Sequence, residues 1–159
     1  MEPNTDPNRI ADRVREQSSA ESNREIDRET EGRLLRYASM SKEEVSRRIE
    51  ELEKEWDMER LLETNASALT VGAMAAFAAT RSRKWLFVPG VVMSFFFQHA
   101  VQGWCPPVSV FRRAGVRTRQ EIERERYALK VLRGDFDGAC EYDGDPGTRT
   151  ERALRAVRA

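Results

Sequence analysis

TNASALTVGAMAAFAAT (Thr64–Thr80) and WLFVPGVVMSFFFQHAVQGW (Trp85–Trp104), separated only by Arg81-Ser82-Arg83-Lys84, decide how this chain folds. From Thr64 to Val110 the charged side chains are Arg81, Arg83 and Lys84, and there is no acid. As helices the two runs span about 25 Å and about 30 Å, and a hydrocarbon core is about 30 Å thick. Lipid offers the backbone no hydrogen bonds, so apolar runs of this length predict helices rather than strands. A four-residue turn then makes a hairpin. Trp85 and Trp104 bracket the second run at the separation of two headgroup layers, where indole rings anchor.

Within the hairpin, Ala68, Gly72, Ala75, Ala76 and Ala79 recur at spacings of three and four. They predict a small-residue face on the first helix, along which another helix approaches closely. Asn65 and Ser67 open the first run, and Gln98, His99 and Gln102 close the second. Folding about the turn brings these polar sets to one level, which predicts a hydrogen-bonded patch between the spans.

Outward from the hairpin the chain is charged. Residues 1 to 63 carry 12 basic and 18 acidic side chains, and residues 111 to 159 carry 12 and 9. Acids interleave with the arginines throughout, which argues against a nucleic-acid surface. Residues 1 to 32 hold few apolar side chains (Ile10, Val14, Ile26) and predict a mobile polar segment. Residues 33 to 63 predict an amphipathic charged helix that runs on into the first span. Its start is marked by Ser41-Lys42-Glu43-Glu44, a capping box. Val45, Ile49, Leu52 and Trp56 then form one apolar stripe at 4-3-4 spacing. That stripe requires a cover: a second copy in a short coiled coil, another protein, or the chain's own C-terminal helix.

Cys105-Pro106-Pro107 predicts the end of the second span. A basic turn and an amphipathic helix to residue 133 follow, opened by Thr118-Arg119-Gln120-Glu121 as a second capping box. Glycine and aspartate then mark residues 134 to 159 as a flexible tail with at most a loose basic helix. Two cysteines, Cys105 and Cys140, and one histidine supply neither a disulfide framework nor a zinc set. Prolines occupy the turn that a nucleophilic Cys105 would need for an anion loop. The acidic residues from Asp135 to Asp145 lack EF-hand spacing. No catalytic residue, cofactor or metal is predicted.

Gly103-Trp104-Cys105-Pro106 directly after a short apolar hairpin, followed by Ala114-Gly115-Val116-Arg117-Thr118, resembles the YgaP-like transmembrane domain over roughly residues 60 to 119. The resemblance implies a two-span bacterial inner-membrane hairpin, in some members attached to a rhodanese domain, with no established catalysis of its own. This chain departs from the pattern in three ways. It carries no rhodanese, it has a charged helix before the spans, and its turn is basic.

The expectation is therefore an all-α membrane protein with a two-span hairpin over residues 64 to 110 (spans 64 to 80 and 85 to 104), flanked by amphipathic cytoplasmic helices. Lys54, Arg60, Arg112, Arg113, Arg117, Arg119, Arg124 and Arg126 outnumber the three basic residues of the turn, which predicts both termini on the cytoplasmic side. The expected role is a membrane-anchored scaffold or interaction module whose partners are the bilayer and a second copy or another protein. Two alternatives stand beside it: a soluble helical oligomer that buries the hairpin between subunits, and an accessory subunit of a transporter.

Overall fold

A computed structural model describes residues 12–137 and 145–158. All regular structure among them is helical: α1 (Arg13–Glu16), α2 (Ala20–Tyr37), α3 (Lys42–Lys54), α4 (Met58–Thr80), a 3-10 turn (Arg83–Leu86), α5 (Phe87–Gln102), α6 (Pro106–Arg113), α7 (Arg119–Arg133) and α8 (Pro146–Arg158). The helices fall into two compact units. One comprises residues 12–27 and 56–120; the other comprises 28–55, 121–137 and 145–158.

The first unit is built on α4 and α5. Asp57 caps α4 by accepting the Arg60 N–H at 2.8 Å, so the helix restarts after a break at Glu55 to Asp57 rather than continuing from α3. Beyond that restart α4 runs unbroken through the predicted first span to Thr80. Arg81 closes it in a left-handed conformation (φ 55), its N–H bonded to the Phe77 carbonyl. Pro89 lies in the first turn of α5, where its missing N–H costs nothing. Gly103 ends α5, also left-handed (φ 75). Pro106 and Pro107 do not merely stop α5. They occupy the first two positions of α6, where a fixed φ favours helix initiation, so a helix stands where a basic turn was predicted.

At the open end of the hairpin, Val14, Met58, Leu62, Cys105 and Val108 form a buried cluster, with Phe96, Phe111 and Val116 packed against it. Its outer layer is polar. Asp12 caps α1 and also accepts the hydroxyl of Thr118. Arg112, almost fully buried, donates to the Val116 carbonyl at 3.1 Å and to Asn23 Oδ1 at 2.6 Å. The Met58 N–H donates to the Arg117 carbonyl at 2.9 Å. Residues 12 to 32 were expected to be mobile, yet they carry α1 and most of α2 and contribute Val14 and Ile26 to the interior. Few apolar side chains suffice there because long-range hydrogen bonds fix the segment. The rest of that prediction, residues 1 to 11, lies outside the described residues.

The second unit packs α3 against α7 and the C-terminal half of α2. Ser41 and Glu44 form the predicted capping box: Ser41 Oγ accepts the Glu44 N–H, and the Glu44 carboxylate accepts the Ser41 N–H at 3.0 Å. That bond, with the hydroxyl, holds the Glu44 carboxyl below its ordinary pKa. Val45, Ile49 and Leu52 are buried with Ile122 and Leu129, and Leu34 and Tyr37 pack alongside. Each such side chain contributes on the order of 2 kcal/mol. Of the covers open to the stripe, the chain's own C-terminal helix is the one that buries Val45, Ile49 and Leu52, while Trp56 stays exposed. The terminal stretch also differs from its prediction: α8 is a helix over Pro146–Arg158, with Ala156 buried and Lys130 Nζ bonded to the Val157 carbonyl at 3.3 Å.

Candidate functional site

Three places remain where side chains converge without being absorbed into a core. The first is the outer surface of the hairpin. Arg83–Gln102, the 3-10 turn with α5, is long and apolar enough to cross a membrane, with a mean hydropathy of 1.2. No other described helix meets that measure. Almost none of this segment is covered by the rest of the chain: Phe87 is 77% exposed, Phe97 72% and Val101 58%. In water such a face costs about 25 cal/mol for each Å², so it requires an apolar surrounding.

The small-residue face of α4 points the other way from the prediction. Its buried positions below Leu62 are Ala66 and Ala73, one heptad apart. At about 100° per residue, Ala68, Gly72, Ala75 and Ala79 sit on roughly the opposite side of the helix. These four are exposed and Ala76 is only half-buried. A methyl group on Gly72 would meet nothing within 4 Å. The stripe is thus exposed among the described residues, while Ala66 and Ala73 are the buried alanines of the helix.

The second place is a polar cavity of about 520 Å³ at the open end of the hairpin, with Glu59 and Glu63 from α4, His99 and Ala100 from α5, and Asp12 and Arg13 from the N-terminal segment on its walls. The Glu59 carboxyl is raised from its ordinary pKa, first by desolvation and then by the charges of Asp57 and Asp12. His99 Nδ1 is buried without a hydrogen-bond partner. The predicted polar patch does not form as a bridge between spans. Asn65 donates to its own helix at the Leu61 carbonyl, Gln98 reaches Gln102 at 3.5 Å, Ser67 is exposed, and no bond joins the two sets among the described residues. Folding the hairpin instead brings the Glu59 and Glu63 level to His99, because α4 begins six residues before the run recognised as apolar.

Arg13 closes one side of this cavity. Its Nη1 donates to the Ala100 and Val101 carbonyls at 3.0 and 3.3 Å, which satisfies acceptors left free at the end of α5. Gly103 allows the approach. A Cβ there would lie 2.5 Å from Arg13 Cβ and 2.9 Å from the Arg13 carbonyl carbon. Arg13 had no sequence signal that marked it; the Gly103 box was legible, its partner 90 residues earlier was not.

Cys105 is free but sits in the buried cluster, and its carbonyl accepts the Val108 N–H. Cys140 lies outside the described residues. Among those residues no three His, Cys, Asp or Glu side chains are placed to hold a metal ion. Of the predicted anchors, Trp85 is exposed beside the turn, and Trp104 is half-buried, donating from Nε1 to Ser109 Oγ at 3.2 Å. Trp56 is exposed with the Arg60 guanidinium 4.6 Å above its ring.

The third place belongs to the second unit. Leu34, Leu35 and Ala38 of α2 and Ala128, Val131 and Leu132 of α7 line an open apolar groove. Leu35 is 77% exposed and Val131 61%. Among the described residues this groove is exposed, whereas Val45, Ile49 and Leu52 of the α3 stripe are buried. Sequence periodicity missed it because both helices also carry a buried face. Comparison with protein-family models, curated proteins and solved structures returned no match for the chain.

Proposed function

We propose that this protein is a membrane-anchored scaffold or interaction module, in which α4 and α5 insert as a two-span hairpin and the second unit is offered to a partner in the cytoplasm. The observation that carries the reading is the uncovered apolar surface of Arg83–Gln102. α4 is less apolar, and its place in the bilayer rests on its uncharged length and its packing against α5. The Gly103-Trp104-Cys105-Pro106 box and its resemblance to the YgaP-like transmembrane domain favour the same arrangement, with both termini in the cytoplasm by the count of flanking cations. We assign it no reaction, because Cys105 serves packing in the buried cluster.

Alkaline carbonate treatment of membranes tests the anchor. The protein is expected to stay in the pellet and to leave it only with detergent. Release by carbonate alone would mean that other copies of the chain, rather than lipid, cover α5.

A further inference from the structure

The hairpin turn gathers three cations that the fold does not use. Arg81, Arg83 and Lys84 are exposed, and among the described residues their side chains make no hydrogen bond or ion pair. The nearest acids along the chain are Glu63 and Glu121. Elsewhere in the same unit arginines are engaged, Arg13 by carbonyls and Arg112 by Asn23 and a carbonyl. The backbone sharpens the contrast. Arg81 is the one described non-glycine residue at positive φ, in a closing position where glycine is favoured. Arginine is disfavoured there by its Cβ, so what it adds is charge at the tip. Immediately afterwards come Trp85, Leu86 and Phe87, all exposed.

Cations followed at once by an apolar collar suit a headgroup layer. Alkyl stems and rings lie against acyl chains, while the charged ends reach phosphate. We propose that this tip binds the phosphate of anionic lipid headgroups in the leaflet it reaches, an inference that rests on the membrane reading above. It also gives a reason for a basic turn that runs against the charge bias of the flanks.

The test uses the full chain in nanodiscs, with Trp56→Phe and Trp104→Phe leaving Trp85 as the reporter. Bromine on the acyl chains quenches its fluorescence. At equal low mole fraction, brominated phosphatidylglycerol is expected to quench as though about fivefold enriched over brominated phosphatidylcholine, the effect of one cation at a membrane surface. The excess should disappear in R81Q/R83Q/K84Q, while quenching by phosphatidylcholine persists and shows that the variant is inserted. Equal quenching by both lipids in the unaltered turn overturns the proposal and leaves the anchor standing. An excess retained in the triple variant, or abolished by millimolar inorganic phosphate, also overturns it. No quenching by either lipid overturns the membrane reading itself, and the proposal with it.

Discussion

Gly103→Ala separates a hairpin that stands alone from one clasped by the N-terminal segment. Gly103 has φ 75, a region that costs an alanine about 1 kcal/mol or more. Its new Cβ would lie 2.5 Å from Arg13 Cβ and 2.9 Å from the Arg13 carbonyl carbon. One of these is backbone, so no rotamer change relieves the overlap and α1 must move away. Displacement releases Val14 from the buried cluster, about 1.5 kcal/mol, and frees the Ala100 and Val101 carbonyls from Arg13. The sum is about 3 kcal/mol, or roughly 6–12 °C in a chain of this length. Thermal unfolding in detergent by circular dichroism measures it, and trypsin cleavage after Arg13 and Arg15 should accelerate in parallel. Gly72→Ala is the control: a Cβ there meets nothing within 4 Å, and the change should stabilise α4 by about 0.5–1 kcal/mol. A Gly103→Ala protein that melts with the parent and resists trypsin equally would refute the clasp.

Glu125 is fully buried and accepts from Arg33 at 3.2 Å and Arg48 at 3.1 Å; Glu125→Ala should cost about 2–3 kcal/mol in chemical denaturation by removing the buried acceptor the two guanidiniums share, although Glu29, Thr30, Glu51 and Glu55 keep them partly paired. Asp135 is held below the ordinary carboxylate pKa by its paired hydrogen bonds with Arg133. Its contribution is therefore present above the unfolded pKa and lost as pH falls through the folded value, so Asp135→Asn should lower the melting temperature at pH 7 and make no difference once the carboxyl is protonated. Glu59 has the opposite sign. Its raised pKa makes the ionised form unfavourable in the fold, and Glu59→Gln should raise the melting temperature at pH 7, with the gain shrinking as pH falls through the raised folded value and gone below the unfolded one.

Local signals carried much of this fold. The capping box at Ser41, the first three positions of the 4-3-4 stripe (Val45, Ile49 and Leu52) and the uncharged run Thr64–Thr80 each act within one helix and stand where their residues predicted them, whereas Trp56 falls in the break after α3 and is exposed. The stripe's partner was left between another copy and the C-terminal helix, and α7 supplies it through Ile122 and Leu129. What escaped depends on distance along the chain. Residues 12 to 27 look too polar to order, because their stabilising partners are Ala100, Arg112 and Thr118, nearly a hundred residues away. Asp57 was one acid among many until its carboxylate capped α4. The direction of the Ala68 to Ala79 stripe was also hidden. Periodicity fixes which residues share a face, not which face meets a neighbour, and Ala66 with Ala73 made an equally small alternative. At the candidate site the box Gly103 to Pro106 was visible, but its role in admitting Arg13 was not.

Phe97, exposed in the C-terminal half of α5, tests most directly what surrounds that helix. A spin label on Phe97→Cys, with Cys105→Ala and Cys140→Ser, reports collision with oxygen, which concentrates in lipid, and with a charged nickel complex, which stays in water. For the protein in bilayers the account predicts frequent oxygen collisions and almost none with nickel. Frequent nickel collisions would place α5 in water, and infrequent collisions with both would place it inside a protein assembly; either result contradicts the membrane hairpin.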